Sequence, residues 1–222
     1  MTKREKLIRA QQIAIELFYE IELRHLIRAG KDELCLNEEI YQLALRQFNI
    51  EKHWHKRIVR AGKNTLFPYN ENPPNLIIKE DDILFLDFGP VIEEWEADLG
   101  RTFVVGANPL KRKMISDIEK AWIEIQQWFE NQSSVKASDL YMLAQQKAIE
   151  YGWEWGGQIA GHLIGSFPHE KLDPGDYGLY IHPENDLDLC QKDQYGEKRD
   201  WILELHFINK ELEFGAFYEQ LL

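Results

Sequence analysis

Four acidic residues of this 222-residue chain lie inside apolar runs made of the residue types that favour β-strand. Asp87 follows Ile83-Leu84-Phe85-Leu86, and Asp98 precedes Leu99-Gly100-Arg101-Thr102. Glu204 stands between Leu203 and Leu205 in the run Trp201 to Phe207, and Glu219 follows Phe214-Gly215-Ala216-Phe217-Tyr218. An ionised carboxylate without a partner is very costly in an apolar interior. A fold that buries these strands must therefore supply the acids with a cation. Asp87 and Asp98, eleven positions apart, suit the two arms of one hairpin, where paired residues share a face and both carboxylates could converge. Taken alone, those two aspartates read more simply as solvated or paired with Arg101. In the Glu204 strand, alternation puts Glu204 and His206 on one face and Leu203, Leu205 and Phe207 on the other.

A histidine joins this set. His162 lies between Gly161 and Gly165, which permit close backbone approach, and His169 follows seven residues later. A neutral imidazole is a common transition-metal ligand, and a second one nearby can act as an acid or hydrogen-bond donor. A lone histidine in such a place is more simply a core or turn residue, so the weight rests on the whole set. Oxygen donors with one imidazole suit Mn, Fe, Co or Zn, and the lack of thiolates disfavours a structural zinc site. Four carboxylates would balance two divalent ions, and a two-metal site can hold a bridging hydroxide and polarise a carbonyl.

The remainder of the chain predicts an α+β fold with a largely antiparallel sheet. Leu7, Ala10, Ala14, Leu17 and Ile21 form a helical stripe. A second helix is expected from Asn37 as N-cap, with Leu36 and Tyr41 as a hydrophobic staple and Ile40, Ala44 and Phe48 buried. A third is expected from Pro109 and a fourth after Ser138. Strands are expected at Ile58-Val59, Leu76 to Ile78, Ile83 to Phe88, Thr102 to Val105, Trp201 to Ile208 and Glu213 to Leu221. No linker or repeat divides the chain, so residues 1–222 read as one catalytic-type domain. Hydrophobic residues make up 44% of it, enough for a sizeable core. With 26 Lys+Arg against 38 Asp+Glu, a net charge of −12 argues against nucleic-acid or anionic-membrane binding. No apolar stretch approaches the roughly 20 residues of a membrane span. Two cysteines and the absence of a signal-type N-terminus fit the cytoplasm.

The order Asp87, Asp98, His162, Glu204, Glu219 resembles that of the metallopeptidase family with the pita-bread fold, which includes methionine aminopeptidase, Xaa-Pro aminopeptidase, prolidase and creatinase. The resemblance runs from about His55 to the C-terminus. It implies a curved, mainly antiparallel sheet covered by helices, with those five residues as ligands of two divalent metal ions (Mn, Co, Fe or Zn). It further implies that Glu204 shuttles protons and that His169 binds substrate and steadies the tetrahedral intermediate. His206, beside Glu204, is a further substrate-side candidate. The pair His169-Glu170 points to the Xaa-Pro and prolidase branch.

Two departures stand out. A histidine that the family carries before its first metal aspartate is missing here, with Pro68-Tyr69 at the nearest equivalent place and His53 or His55 as candidates to replace it. The separate N-terminal domain of the Xaa-Pro enzymes also has no counterpart in the sequence. The expected activity is removal of an N-terminal residue from peptides, in a protein able to form a homodimer. A creatinase-like hydrolase or lyase acting on a small non-peptide substrate is the alternative on the same metals. A catalytically silent binding protein fits less well, since it would have no reason to keep five ligands.

Overall fold

The computed structural model of the protein describes residues 1–169 and 177–222; Glu170 lies outside them. The chain opens with two helices. In α1 (Lys3–Leu23) Thr2 and Glu5 cap each other's backbone N–H groups, and the predicted stripe Leu7, Ala10, Ala14, Leu17 and Ile21 is buried. Helix α2 (Glu33–Phe48) begins a turn earlier than expected: Asp32 is its cap, accepting the Cys35 N–H at 2.8 Å. Asn37 lies inside the helix, and its side-chain amide is paired in both directions with Arg57. Leu36, Ile40 and Ala44 are buried, while Phe48 is half-buried.

Strand β1 (Ile58–Ala61) leads into a short 3₁₀ turn (Gly62–Leu66), then β2 (Ile83–Phe88), a two-strand ribbon of β3 (Val91–Ile92) and β4 (Trp95–Glu96), and β5 (Leu99–Val104). The apolar triplet Leu76 to Ile78 forms no strand of the sheet: Ile77 makes an isolated bridge to Asp32, Leu76 and Ile78 exchange backbone hydrogen bonds with Glu33 and Lys31, and Ile78 is buried in the core. Helices α3 (Pro109–Glu130, capped by Asn108) and α4 (Ala137–Glu150) follow, then β6 (Glu154–Trp155), β7 (Gly161–Ile164), β8 (Asp200–Asn209) and β9 (Phe214–Leu221). Among the described residues, seven strands form one antiparallel sheet in the order β1-β2-β5-β9-β8-β6, with β7 also paired to β8.

The two faces of the sheet differ in chemistry. Leu203, Leu205 and Phe207 of β8 pack with Met114, Ile118 and Trp122 of α3. Leu84, Leu86 and Phe88 of β2 pack with the α1 and α2 residues Leu17, Ile21, Leu36 and Ile40. On the other face, register alone aligns the acids. Asp87 pairs with Gly100, Gly100 with Glu219, and Glu219 with Glu204, so one cross-strand row runs through four strands. Asp98 lies just before β5, outside the strand, and lines the same cavity as the row.

Gly100 keeps this row open. A Cβ there would come 2.6 Å from the Phe217 ring and 2.9 Å from Glu219 Cβ. Gly100→Ala is therefore expected to displace Glu219 and to lower the unfolding free energy by about 1–3 kcal/mol, the usual cost of overpacking. Urea denaturation checks this, and a variant as stable as the wild type would show that the strands can part without cost.

Candidate metal centre

The row of acids ends in a cavity of about 280 Å³. Asp98, 2% exposed, is its centre. Its Oδ2 lies 3.0 Å from His162 Nε2, and its Oδ1 lies 3.1 Å from His55 Nε2. His55 Nε2 is also 3.5 Å from Asp87 Oδ1, and His162 Nε2 is 3.8 Å from Glu219 Oε1. The donors fall into two groups able to hold a cation, His55-Asp87-Asp98 and Asp98-His162-Glu219, with Asp98 common to both. Glu204 lines the same cavity beside Glu219.

Electrostatics follow from this crowding. Burial raises Asp87 and Glu204 to about 7, although neighbouring imidazoles pull them down. Glu219 is driven well above the usual carboxylate range by burial and by Asp98 and Asp87. Asp98 goes the other way: burial would raise it, but His55 and His162 hold it near 2. For His55, burial opposes protonation and is outweighed by Asp98 and Asp87, which raise it to about 9. Buried acids pushed up by one another are the setting that a divalent cation relieves. Glu219 Oε2 adds a specific sign: it is buried and has no hydrogen-bond partner among the described residues. The residues fit a metal centre of oxygen and imidazole donors.

Around the acids, the cavity has an apolar wall of Ile58, Phe85 and Phe217, the last two with rings 5.2 Å apart. His169 lines it and is tied to Glu96, whose carboxylate takes the His169 Nδ1 at 2.7 Å and the His169 N–H at 3.1 Å. That commitment leaves Nε2 as the ring nitrogen a ligand could meet. His206 lines the cavity too, but its Nε2–H is given to the Thr65 carbonyl at 2.7 Å, and burial lowers its pKa to about 4. It is a neutral ring with one nitrogen already engaged. Pro68 and Tyr69 form part of the rim, where Arg60 donates to the carbonyls of Phe67, Pro68 and Glu71. Of the two histidines weighed as replacements for the missing one, His55 is at the acids. His53 faces the rings of Tyr41 and Phe88 instead, each 6.3 Å away.

Two residues here escaped sequence reasoning. Glu96 is 1% exposed and holds His169, but a glutamate two positions before an aspartate carries no local signal. Trp54 sets its ring edge-on to three histidines, at 4.4 Å from His55, 5.1 Å from His162 and 4.9 Å from His169. Its neighbour His55 was the hint available.

Fold and site together define a pita-bread scaffold presenting a candidate metal centre of carboxylates and imidazoles. The chain belongs to metallopeptidase family M24, whose model matches residues 5–191. It is 26% identical over 149 residues to the Xaa-Pro dipeptidase of Pyrococcus horikoshii, covering 65% of this chain and 40% of that protein. In structure it resembles the X-Pro aminopeptidase of Thermotoga maritima, with a TM-score of 0.78 at 22% identity over 99% of this chain and 57% of that one. The methionine aminopeptidase of the same organism gives 0.72 at 15% identity, over 99% of this chain and 91% of that one. The chain thus spans well under two thirds of both Xaa-Pro proteins. Among the described residues, no helix is long and apolar enough to cross a membrane.

Proposed function

We propose that this chain is a metal-dependent hydrolase that removes the N-terminal residue from peptides, in the manner of an Xaa-Pro aminopeptidase, within the cytoplasm. The observation that carries this reading is Asp98 held between two imidazoles, next to the row Asp87, Glu219 and Glu204 on one sheet face. Asp87, Asp98, His162, Glu204 and Glu219 would hold two divalent ions, which supply Lewis acidity toward water and toward a scissile carbonyl. Glu204, at the cavity beside Glu219, would take a proton from the attacking water and return it to the leaving amine. His169, oriented by Glu96, would donate a hydrogen bond to the developing oxyanion. The apolar wall of Ile58, Phe85 and Phe217 suits the body of a short peptide.

The test is a panel of peptides with free N-termini, followed by mass spectrometry with protein stripped by chelator and then reloaded with Mn, Co, Fe or Zn. Loss of a single N-terminal residue that vanishes on stripping and returns on reloading is the expected result. Undiminished cleavage by the stripped protein would sink the proposal, as would no cleavage of any peptide by protein that has taken up metal.

A further inference from the structure

Resting on the two-ion reading above, we infer that His55 is a sixth protein ligand of the metal centre, so that each ion has an imidazole of its own. The geometry is that of a ligand. Metal–donor bonds of about 2.1 Å place two adjacent donors roughly 2.9–3.5 Å apart, from octahedral to tetrahedral angles. His55 Nε2 lies 3.1 Å from Asp98 Oδ1 and 3.5 Å from Asp87 Oδ1, within that range for both. The second distance is too long for a hydrogen bond.

The ring is also supported as metal-bound imidazoles are. A ligating histidine gives its other N–H to a carbonyl or carboxylate, which fixes tautomer and orientation. His55 Nδ1 lies 2.7 Å from the carbonyl of Lys56, and His162 Nδ1 lies 2.9 Å from the carbonyl of Leu163. Both histidines thus use the carbonyl of the next residue in the chain. A carbonyl only accepts, so Nδ1 carries the proton in each ring and Nε2 is directed at the acids. The two imidazoles stand on opposite oxygens of Asp98.

His55 is locked in place by its surroundings. Trp54 packs edge-on to it and is itself anchored by its Nε1–H to the Ala97 carbonyl at 3.0 Å. Gly89 makes the space: a Cβ there would come 2.2 Å from His55 Cδ2. The antiparallel pairing of Ile58 with Asp87 is what carries the segment preceding β1 past this point. A nitrogen donor at each ion favours Zn, Co and Fe over Mn more strongly than an all-oxygen site does.

The experiment loads the stripped wild-type protein with Co(II) and counts the solvent-exchangeable, paramagnetically shifted N–H proton signals, one for each coordinated ring. Two are expected at full loading. His55→Ala should remove one and weaken one of the two cobalt binding steps at least 100-fold in a calorimetric titration, while His162→Ala removes the other signal. A single signal in the fully loaded wild type overturns the inference, and so does a His55→Ala protein that binds two equivalents as the wild type does. The wild-type count stands even if a variant fails to fold. Peptide cleavage plays no part in these readouts. Two signals without cleavage would keep the ligand and overturn the peptidase reading, and cleavage with one signal would do the reverse.

Discussion

Glu204→Gln is expected to lower kcat for peptide cleavage by at least about 10³-fold, within the range that loss of general acid–base catalysis produces. KM should change little. The substitution keeps the volume and one oxygen donor, but it removes the charge and the ability to carry a proton near neutral pH. Burial raises this carboxyl to about 7, and Asp87 and Asp98 push it the same way. Its folded-state pKa therefore lies above the ordinary value, so ionisation costs stability as pH rises through about 5 to 7. In metal-free protein above that window, Glu204→Gln should melt at or above the wild-type temperature, because one buried charge has been deleted from a repelling group. Steady-state kinetics with the metal content measured alongside, and thermal melts of stripped protein at pH 8, check both statements. A kcat within tenfold of wild type at equal metal content would show that another group moves the proton.

What the sequence made legible here is what depends on strand period and register. Alternation in β8 sends Leu203, Leu205 and Phe207 to the helices and leaves Glu204 and His206 at the cavity, because the period of two is a local property of the backbone. The pairing of the Asp87 strand with the one that follows Asp98 was legible for the same reason, although Asp98 itself lies just before β5, and the small β3–β4 ribbon was not legible, each of its strands being two residues long. The start of α2 went wrong at a tie between two good caps. Asp32 and Asn37 both satisfy the local rule, and distant residues decide between them. Glu33 accepts from the backbone of Ala61 and Leu76 and from Asn64, which fixes the first turn there, while Arg57 occupies Asn37. Ile77 shows the limit of composition: an apolar triplet looks like strand, yet this residue is 61% exposed and makes one bridge.

The placement of His55 is of the same non-local kind. Some 30 residues separate it from Asp87 in sequence, and nothing near His55 marks it as chemical. Its position follows from β1 running antiparallel to β2, which sets the residues before β1 alongside those at the end of β2. Gly89, directly after that end, was a usable signal, since a glycine beside a buried acid marks a close approach.

Asp98→Asn is the substitution with the largest expected effect, and it moves stability in the opposite direction from Glu204→Gln. Asp98 belongs to both donor groups, and each of its oxygens faces a different imidazole. Asparagine keeps one weak oxygen donor, loses the charge, and turns an N–H donor toward one of the rings. Metal content of the purified protein should fall from two equivalents to one or none, and cleavage should drop to background, at least about 10⁴-fold below wild type, since the loss combines both ions with the acid–base step. In stripped protein the two imidazoles owe much of their proton affinity to this carboxylate, so His55 should fall from about 9, with Asp87 and the Lys56 carbonyl left to oppose burial. Breaking a buried charge pair on one side costs about 3–5 kcal/mol while the other side stays charged. The stripped variant should therefore melt below the wild type at pH 8, where Glu204→Gln is at least as stable as it. Metal analysis, melting curves and histidine titration by NMR test these expectations together. An Asp98→Asn protein that still holds two equivalents would mean that the acids of the row form a metal centre without the residue that joins its halves.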